Sequence, residues 1–402
     1  MLKAIKVRLY PSADQEICLG KLFGCSRFVY NKCLNFKINE HKETKKTTSF
    51  GELGKFLTYL KVENEWMKES HSKVLQQTVR NLDQAYKNFF REKKGFPKFK
   101  SKHDKHQSVR FPNDAISGIK GNRINIIKPL SNIYFKCSSS DESYLNKHQD
   151  EIKSGTLSKS KSGKYYFSIL VDRPNKTLKF SDNAIGLDLG IKYFIVTSEG
   201  QKYENLKLKR NNKTKLIRLY RQLSKKQKGS NNKNRARIRL AKYHDKINNQ
   251  KEYYLHEVVN QILGENQTIG IENLNVKGLL KNHKLAKSIQ EVSWTRFNTI
   301  LKYKAEWYGR QVIEVNQFFA SSKLCNVCGY KKVDLILKDR SWICPDCGKN
   351  HDRDINAANN IKQEVIKIKI GLSSPESTLQ ESKYIISSVN EESNRERIYM
   401  IK

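Results

Sequence analysis

The chain has 402 residues, room for two or three domains that each bury a sizeable core without disulfide staples or an obligate second copy. Its 77 Lys+Arg against 40 Asp+Glu leave a formal charge of +37, far beyond what solubility needs; a polyanion offsets that self-repulsion, and nucleic acid is the partner called for. No apolar run approaches the roughly 18–20 residues of a spanning helix, and the alternating start lacks a signal peptide's longer apolar stretch, so no membrane partner and a cytoplasmic location are expected.

Residues 3–9 set Lys3, Ile5, Val7 and Leu9 against Ala4, Lys6 and Arg8, the period of a half-buried strand. Asp14 can cap a helix from Gln15 to about Asn39, with Cys18, Leu22, Cys25, Val29 and Cys33 on one face. A second helix is expected over about 73–91, where Leu75, Val79, Leu82 and Tyr86 recur at helical spacing; together these predict a helical lobe inserted after the first strand.

Residues 93–102 then interleave lysines, among them Lys98, Lys100 and Lys102, with Phe96 and Phe99 around a Gly and a Pro. Two readings stay open: a loop that grips phosphates and offers rings for stacking, or a linker whose two Phe plug a nearby core. Short strands at 108–111, 123–127, 133–135 and 164–171, separated by turn residues, predict the rest of a small β-barrel that the first strand joins.

From Asn183 the pattern changes to an apolar strand interrupted by Asp188, a second strand over 191–197 and a third over 201–203. Residues 212–264 predict two strongly basic helices broken near Gly229, and over 212–246 only Asp245 is acidic; Lys225, Lys226 and Lys228 at the break are candidate nucleic-acid contacts. A buried strand over 267–271 delivers Glu272, a helix follows over 289–309, a strand over 311–316, and a helix over 354–366. The polar tail, 371–402, is expected to be mobile.

Cys18, Cys25, Cys33 and Cys137 are isolated and expected to be reduced thiols. Cys325, Cys328, Cys344 and Cys347 form two Cys-x-x-Cys pairs, each followed by a glycine suited to a knuckle turn, the spacing of a four-thiolate zinc site. Four thiolates leave no coordination position for water, so that zinc is structural and the chemistry lies elsewhere.

Asp188 in an apolar strand needs a cation, a hydrogen-bond network or a metal, because an unpaired buried carboxylate costs several kcal/mol. Glu272 repeats the arrangement, and Asp354 opens a helix, where a carboxylate also suits the N-terminus. The order of elements, strand acid, meander, helices, strand acid, helix, strand, helix acid, is that of an RNase H-like fold. Three such acids suit two Mg²⁺ or Mn²⁺ ions about 3.5–4 Å apart for phosphodiester hydrolysis.

Gly-Leu-Asp-Leu-Gly-Ile at 186–191, Ile-Glu-Asn-Leu at 271–274, the cysteine module and Asp-Arg-Asp-Ile-Asn-Ala-Ala-Asn-Asn-Ile at 352–361 resemble the RuvC motifs of the TnpB proteins of insertion sequences, relatives of type V CRISPR effectors. Leu-Tyr-Pro at 9–11, Arg27-Phe28-Val29-Tyr30-Asn31, Gly-Phe-Pro-Lys-Phe-Lys-Ser-Lys at 95–102 and the basic stretch at 223–230 extend the resemblance over residues 1–366.

The resemblance implies an α/β and β multidomain protein. A wedge-like β-barrel (1–12 and 93–180) would carry an inserted helical recognition lobe (13–92), and a RuvC nuclease (181–320 and 351–370) an inserted zinc ribbon (321–350). It implies RNA-guided cutting of double-stranded DNA, with a guide RNA derived from the transposon end and no small-molecule substrate. Asp188, Glu272 and Asp354 would be the metal ligands, with Asp352 as the competitor for the third place. Lys73, Gln76, Gln77 and Asn81, on the polar side of the second helix, could read the DNA motif flanking the target, since Gln and Asn contact adenine in bidentate fashion; the plain alternative is a solvated face. A guided regulator that binds without cutting should lack one acid, and none is missing; a strand-transfer transposase finds no nucleophile motif.

Overall fold

The computed structural model describes residues 1–371 apart from 105, 106, 128, 129 and 337; the tail from 372 on, expected to be mobile, lies outside the described residues. The chain divides into two compact units: Met1–Pro174 with Gln222–Lys242, and Asn175–Arg221 with the residues from Tyr243 onward.

The first unit opens with strand β1 (Leu2–Tyr10), which buries Lys3, Ile5, Val7 and Leu9 as the period predicts. The Lys3 ammonium escapes burial unpaired by donating to the Pro174 carbonyl at 3.0 Å. Helix α1 (Ala13–Thr44) starts on a capping box in which Ser12 and Gln15 satisfy each other's backbone N–H groups. Helix α2 (Phe50–Glu63) starts on another, between Ser49 and Glu52, and α3 (Ser72–Glu92) follows. Cys25, Val29 and Cys33 of α1 pack with Leu53, Leu57 and Leu60 of α2 and Leu75, Val79 and Leu82 of α3 into one helical core.

The remaining elements of this unit are β2 (Gln107–Pro112), β3 (Gly118–Lys120), β4 (Arg123–Asn125), β5 (Ile133–Lys136), α4 (Ser139–Lys147), β6 (Ile152–Lys159) and β7 (Tyr165–Asp172). With β1 they make an antiparallel sheet in the order β2-β6-β7-β1-β5-β4-β3. The expected barrel is not closed: among the described residues β2 and β3 are unpaired edges. One physical reason is that the β3 edge is already satisfied, because the Gln149 side chain accepts from the Ile119 N–H at 3.0 Å and donates to the Ile119 carbonyl at 2.8 Å.

The second unit contains β8 (Ala184–Leu189), β9 (Tyr193–Thr197), β10 (Lys202–Glu204), α5 (Leu208–Asn211), α6 (Lys213–Ser224), α7 (Asn231–Glu265), β11 (Thr268–Glu272), α8 (Val276–Leu279), α9 (His283–Val292), α10 (Trp294–Tyr308), β12 (Gln311–Val315), β13 (Ser341–Ile343), β14 (Asn350–Asp352) and α11 (Arg353–Lys369); the end of α6 and the start of α7 group with the first unit. The sheet order is β10-β9-β8-β11-β12, with β8, β9 and β10 an antiparallel meander and β8, β11 and β12 parallel. The helix expected over 289–309 is two helices, because Ser293 takes a left-handed backbone (φ 64°) and the Lys251 ammonium binds the Glu291 carbonyl there.

The two faces of this sheet differ in kind. Ile185, Leu187, Ile269 and Ile271 point into a core with Val259 and Ile262 of α7 and Phe297, Ile300 and Leu301 of α10. The alternate residues, Gly186 and Asp188 on β8 and Gly270 and Glu272 on β11, belong to the other face, where α11 packs.

Candidate active site and metal centre

Parallel pairing sets Gly186 beside Gly270 and Leu187 beside Ile271, so Asp188 and Glu272, one step further along neighbouring strands, stand side by side on the α11 face. The two paired glycines let the helix backbone come down onto the sheet: a Cβ on Gly186 would meet the Ala358 carbonyl oxygen at 2.0 Å, and one on Gly270 the Val365 side chain at 2.7 Å. That approach brings the first turn of α11, with Asp354, to the strand acids.

The electrostatics follow from this crowding. Burial and then the charges of Glu272 and Asp354 raise the Asp188 carboxyl well above the usual carboxylate range, against a weaker pull from Arg353 and Arg340. Burial also raises Glu272, opposed by a hydrogen bond that the Ser321 hydroxyl donates to its Oε1. Asp354 lies 3.5 Å from the Arg340 guanidinium.

Asp352 is engaged differently. One oxygen accepts from the backbone N–H groups of Asp354 at 3.0 Å and Ile355 at 3.2 Å, capping α11, and the other pairs with Lys202 at 2.8 Å. Burial alone would raise its carboxyl, but these hydrogen bonds hold it below the usual aspartate range. The charge of Asp354 is among the largest acting on Asp188.

The four cysteines converge, their sulfurs all within 4.8 Å of one another. Cys325 and Cys347 are 3.6 Å apart and Cys328 and Cys344 3.5 Å, too far for disulfides and near the edge of about 3.8 Å that a tetrahedron with zinc–sulfur bonds of about 2.3 Å requires. Gly329 (φ 79°) and Gly348 (φ 69°) donate their N–H groups to the Cys325 and Cys344 carbonyls at 2.9 Å, closing the two knuckles. The four-cysteine cluster can bind zinc. His351, its ring tilted 38° against that of Trp342, places Nε2 3.1 Å from the Cys325 sulfur.

The expected nucleic-acid contacts are scattered. Lys73 pairs with Asp114, and the Gln77 side chain donates to Asn81 at 3.1 Å, which leaves Gln76 as the exposed member of that group with no such partner among these. Lys98, Lys102, Lys225, Lys226 and Lys228 are exposed. Lys100 sits 4.0 Å over the Tyr30 ring, and the Asn31 side chain clamps its backbone at 2.8 and 2.9 Å. Phe96 packs edge-on against Tyr86 and Phe89 but stays 45% exposed, and Phe99 is exposed too, so the two rings do not plug a core as the linker reading expected.

Sequence reasoning missed Ser321, Arg340 and the helix-facing role of Gly186 and Gly270. The glycines carried a signal, since glycine inside an apolar strand marks close approach of another backbone. Ser321 and Arg340 carried none, lying in loops with no local pattern that ties them to the acids they meet.

Comparison with known proteins agrees with this architecture. Family models match residues 1–46 ("Helix-turn-helix domain"), 166–283 ("Probable transposase") and 294–361 ("Cas12f1-like, TNB domain"). A protein of Streptomyces pristinaespiralis named "Putative RNA-guided DNA endonuclease" is 34% identical over 361 residues, 89% of this chain and 88% of that one. InsQ of Escherichia coli K12, similarly named, is 31% identical over 380 residues, 90% and 91% of the two chains. Among solved structures, Cas12f1 in a complex with sgRNA and target DNA superposes with a TM-score of 0.55 at 13% identity, covering 90% of this chain and 98% of that one. A mini-RNA-guided endonuclease, CRISPR-Cas_phi3, superposes with a TM-score of 0.53 at 10% identity, covering 91% and 92%.

The chain thus shares a mixed α/β fold with these two structures and carries a four-cysteine cluster that can bind zinc. The chain belongs to the TnpB family of insertion-sequence proteins.

Proposed function

We propose that the protein is an RNA-guided DNA endonuclease associated with an insertion sequence, and that Asp188, Glu272 and Asp354 are the ligands of its catalytic Mg²⁺ or Mn²⁺ ions. The observation that carries this reading is the pairing of β8 with β11 that sets Asp188 beside Glu272, with Asp354 of α11 near enough that its charge, after burial and the charge of Glu272, helps raise Asp188 well above its ordinary range. Such a cluster inside a chain of charge +37 fits a divalent cation better than any side-chain partner in reach. Bound there, divalent cations activate water and stabilise the leaving oxygen of a phosphodiester. The chain's own part is positional: the sheet register pairs two acids, the glycine floor brings in the third, and Ser321 orients Glu272.

The meander of three strands followed by two parallel strands, with a helix laid across, supports an RNase H-like (RuvC) domain over 181–320 and 351–370. The cysteine module over 321–350 fits a zinc ribbon, the open sheet of 1–12 and 93–180 a wedge, and the helices of 13–92 a recognition lobe. The names of the relatives support a guide RNA and a DNA target as partners; we assign the guide to the transposon end, and the reading of a short flanking motif to Gln76 and its neighbours. Among the described residues no helix is long and apolar enough to cross a membrane, which accords with work in the prokaryotic cytoplasm.

The test is to sequence the RNA that co-purifies with the protein and supply a DNA matching its end. Cutting should require Mg²⁺ or Mn²⁺, and Asp188→Ala and Asp354→Ala should abolish it while leaving RNA binding intact. Asp352→Ala should keep cutting and lose about 1 kcal/mol of stability with its cap. Undiminished cutting by Asp188→Ala would sink the assignment.

A further inference from the structure

Residues 316–324 connect β12 to the first cysteine knuckle without forming a ladder in the five-stranded sheet. What holds the end of this segment is a row of side chains on α11. Asn360 donates to the carbonyls of Ser321 and Leu324, both at 2.7 Å; Asn356 donates to the Leu324 carbonyl at 2.6 Å and accepts from the Asn326 N–H at 3.0 Å; Gln363 donates to the Asn326 carbonyl at 2.9 Å. Asn356, Asn360 and Ser321 are each at most 5% exposed, so water cannot take over these bonds without opening the site.

The Ser321 hydroxyl, on the strapped segment, donates to Glu272. A glutamate has three side-chain torsions, and a single buried donor with a fixed backbone selects one carboxylate orientation among several. Where the Ser321 backbone stands is in turn set by Asn360, about two turns along the helix whose first turn carries Asp354.

We propose that Ser321 and Asn360 are positioning residues for Glu272. Asn360 fixes the Ser321 backbone, Ser321 turns the Glu272 carboxylate toward the shared cation site, and α11 thereby sets two of the three acids, one directly and one through this relay. The inference rests on Glu272 being a metal ligand. Neither residue touches the reacting atoms, so their loss weakens cation binding more than it alters the chemical step.

The experiment uses the full chain with its co-purified RNA and measures cleavage of matching DNA against Mg²⁺ concentration. Ser321→Ala should raise the half-saturating Mg²⁺ roughly tenfold, as loss of a bond that orients a metal ligand commonly does, with most of the rate regained at saturation. Ser321→Thr, which keeps the hydroxyl, should restore the wild-type Mg²⁺ dependence. Asn360→Asp, which keeps the shape and loses the donor, should shift it in the same direction as Ser321→Ala, with bound RNA and zinc content unchanged. A Ser321→Ala protein with the wild-type Mg²⁺ curve, or a defect that threonine does not repair, overturns the proposal. Glu272→Gln separates the two levels: if it still cuts, the metal-ligand reading itself is wrong, whereas an inactive Glu272→Gln beside a normal Ser321→Ala rejects only the relay.

Discussion

Two glycines show how one hydrogen atom in place of a methyl decides a distance. Gly186 lies under the α11 backbone, where a methyl would sit 2.0 Å from the Ala358 carbonyl oxygen and 2.6 Å from the Lys362 nitrogen, contacts that only a shift of the helix can relieve. Gly24, inside α1, has nothing within 4 Å of the same methyl position. The same substitution therefore carries opposite signs. Gly186→Ala should cost on the order of 1–3 kcal/mol by overpacking and reduce DNA cutting further than the lost stability accounts for, because the helix that moves carries Asp354. Gly24→Ala should add roughly 0.5–1 kcal/mol by helix propensity and leave cutting alone. Melting curves and cleavage rates for both variants check this; a Gly186→Ala protein with wild-type melting would mean that α11 does not lie where Gly186 admits it.

At the scale of elements, what sequence could predict was what local periodicity and spacing carry. The alternation of β1, the helical faces of α1 and α3, the meander β8-β9-β10 and the cysteine knuckles are short-range patterns, and each appears within a few residues of its expected limits. Helix α2 escaped because Gly51 and Gly54 weaken its pattern, although Ser49 and Glu52 spell a capping box. Strand β6 escaped because Ser154, Gly155 and Ser158 dilute its alternation; Gly155 is there because the Phe167 ring from β7 fills the place of its side chain, a Cβ falling 2.1 Å from it. The barrel was over-read for a different reason: strand count speaks to a sheet's size, whereas closure depends on which groups cover its edges, and a glutamine side chain thirty residues along covers β3. Asp188 and Glu272 were legible from their apolar strands, and Asp354 from its motif at a helix start, but the hydroxyl, amides and arginine around them were not, since tertiary folding alone assembles those neighbours.

At the scale of the whole molecule, a charge of +37 makes association with polyanions steep in ionic strength. A protein making 6–10 phosphate contacts should lose on the order of 10³–10⁵ in RNA affinity between about 50 and 200 mM salt. Lys225, Lys226 and Lys228, exposed at the break between α6 and α7, are suited to three such contacts. Replacing all three by Ala should lower the slope of log affinity against log salt by roughly 2–3. An unchanged slope would take these lysines off the RNA. The crowded carboxylates have a consequence of the opposite kind: they are a standing burden on the fold that carries them. Asp188→Asn removes one charge from the cluster without changing its shape, so in chelator this inactive variant should melt at a higher temperature than the wild type, and added Mg²⁺ should narrow the gap by binding the folded wild-type chain. Keeping the nuclease is then work against a gradient: a copy no longer selected for cutting can gain stability by a substitution such as Asp188→Asn that takes a charge out of the cluster.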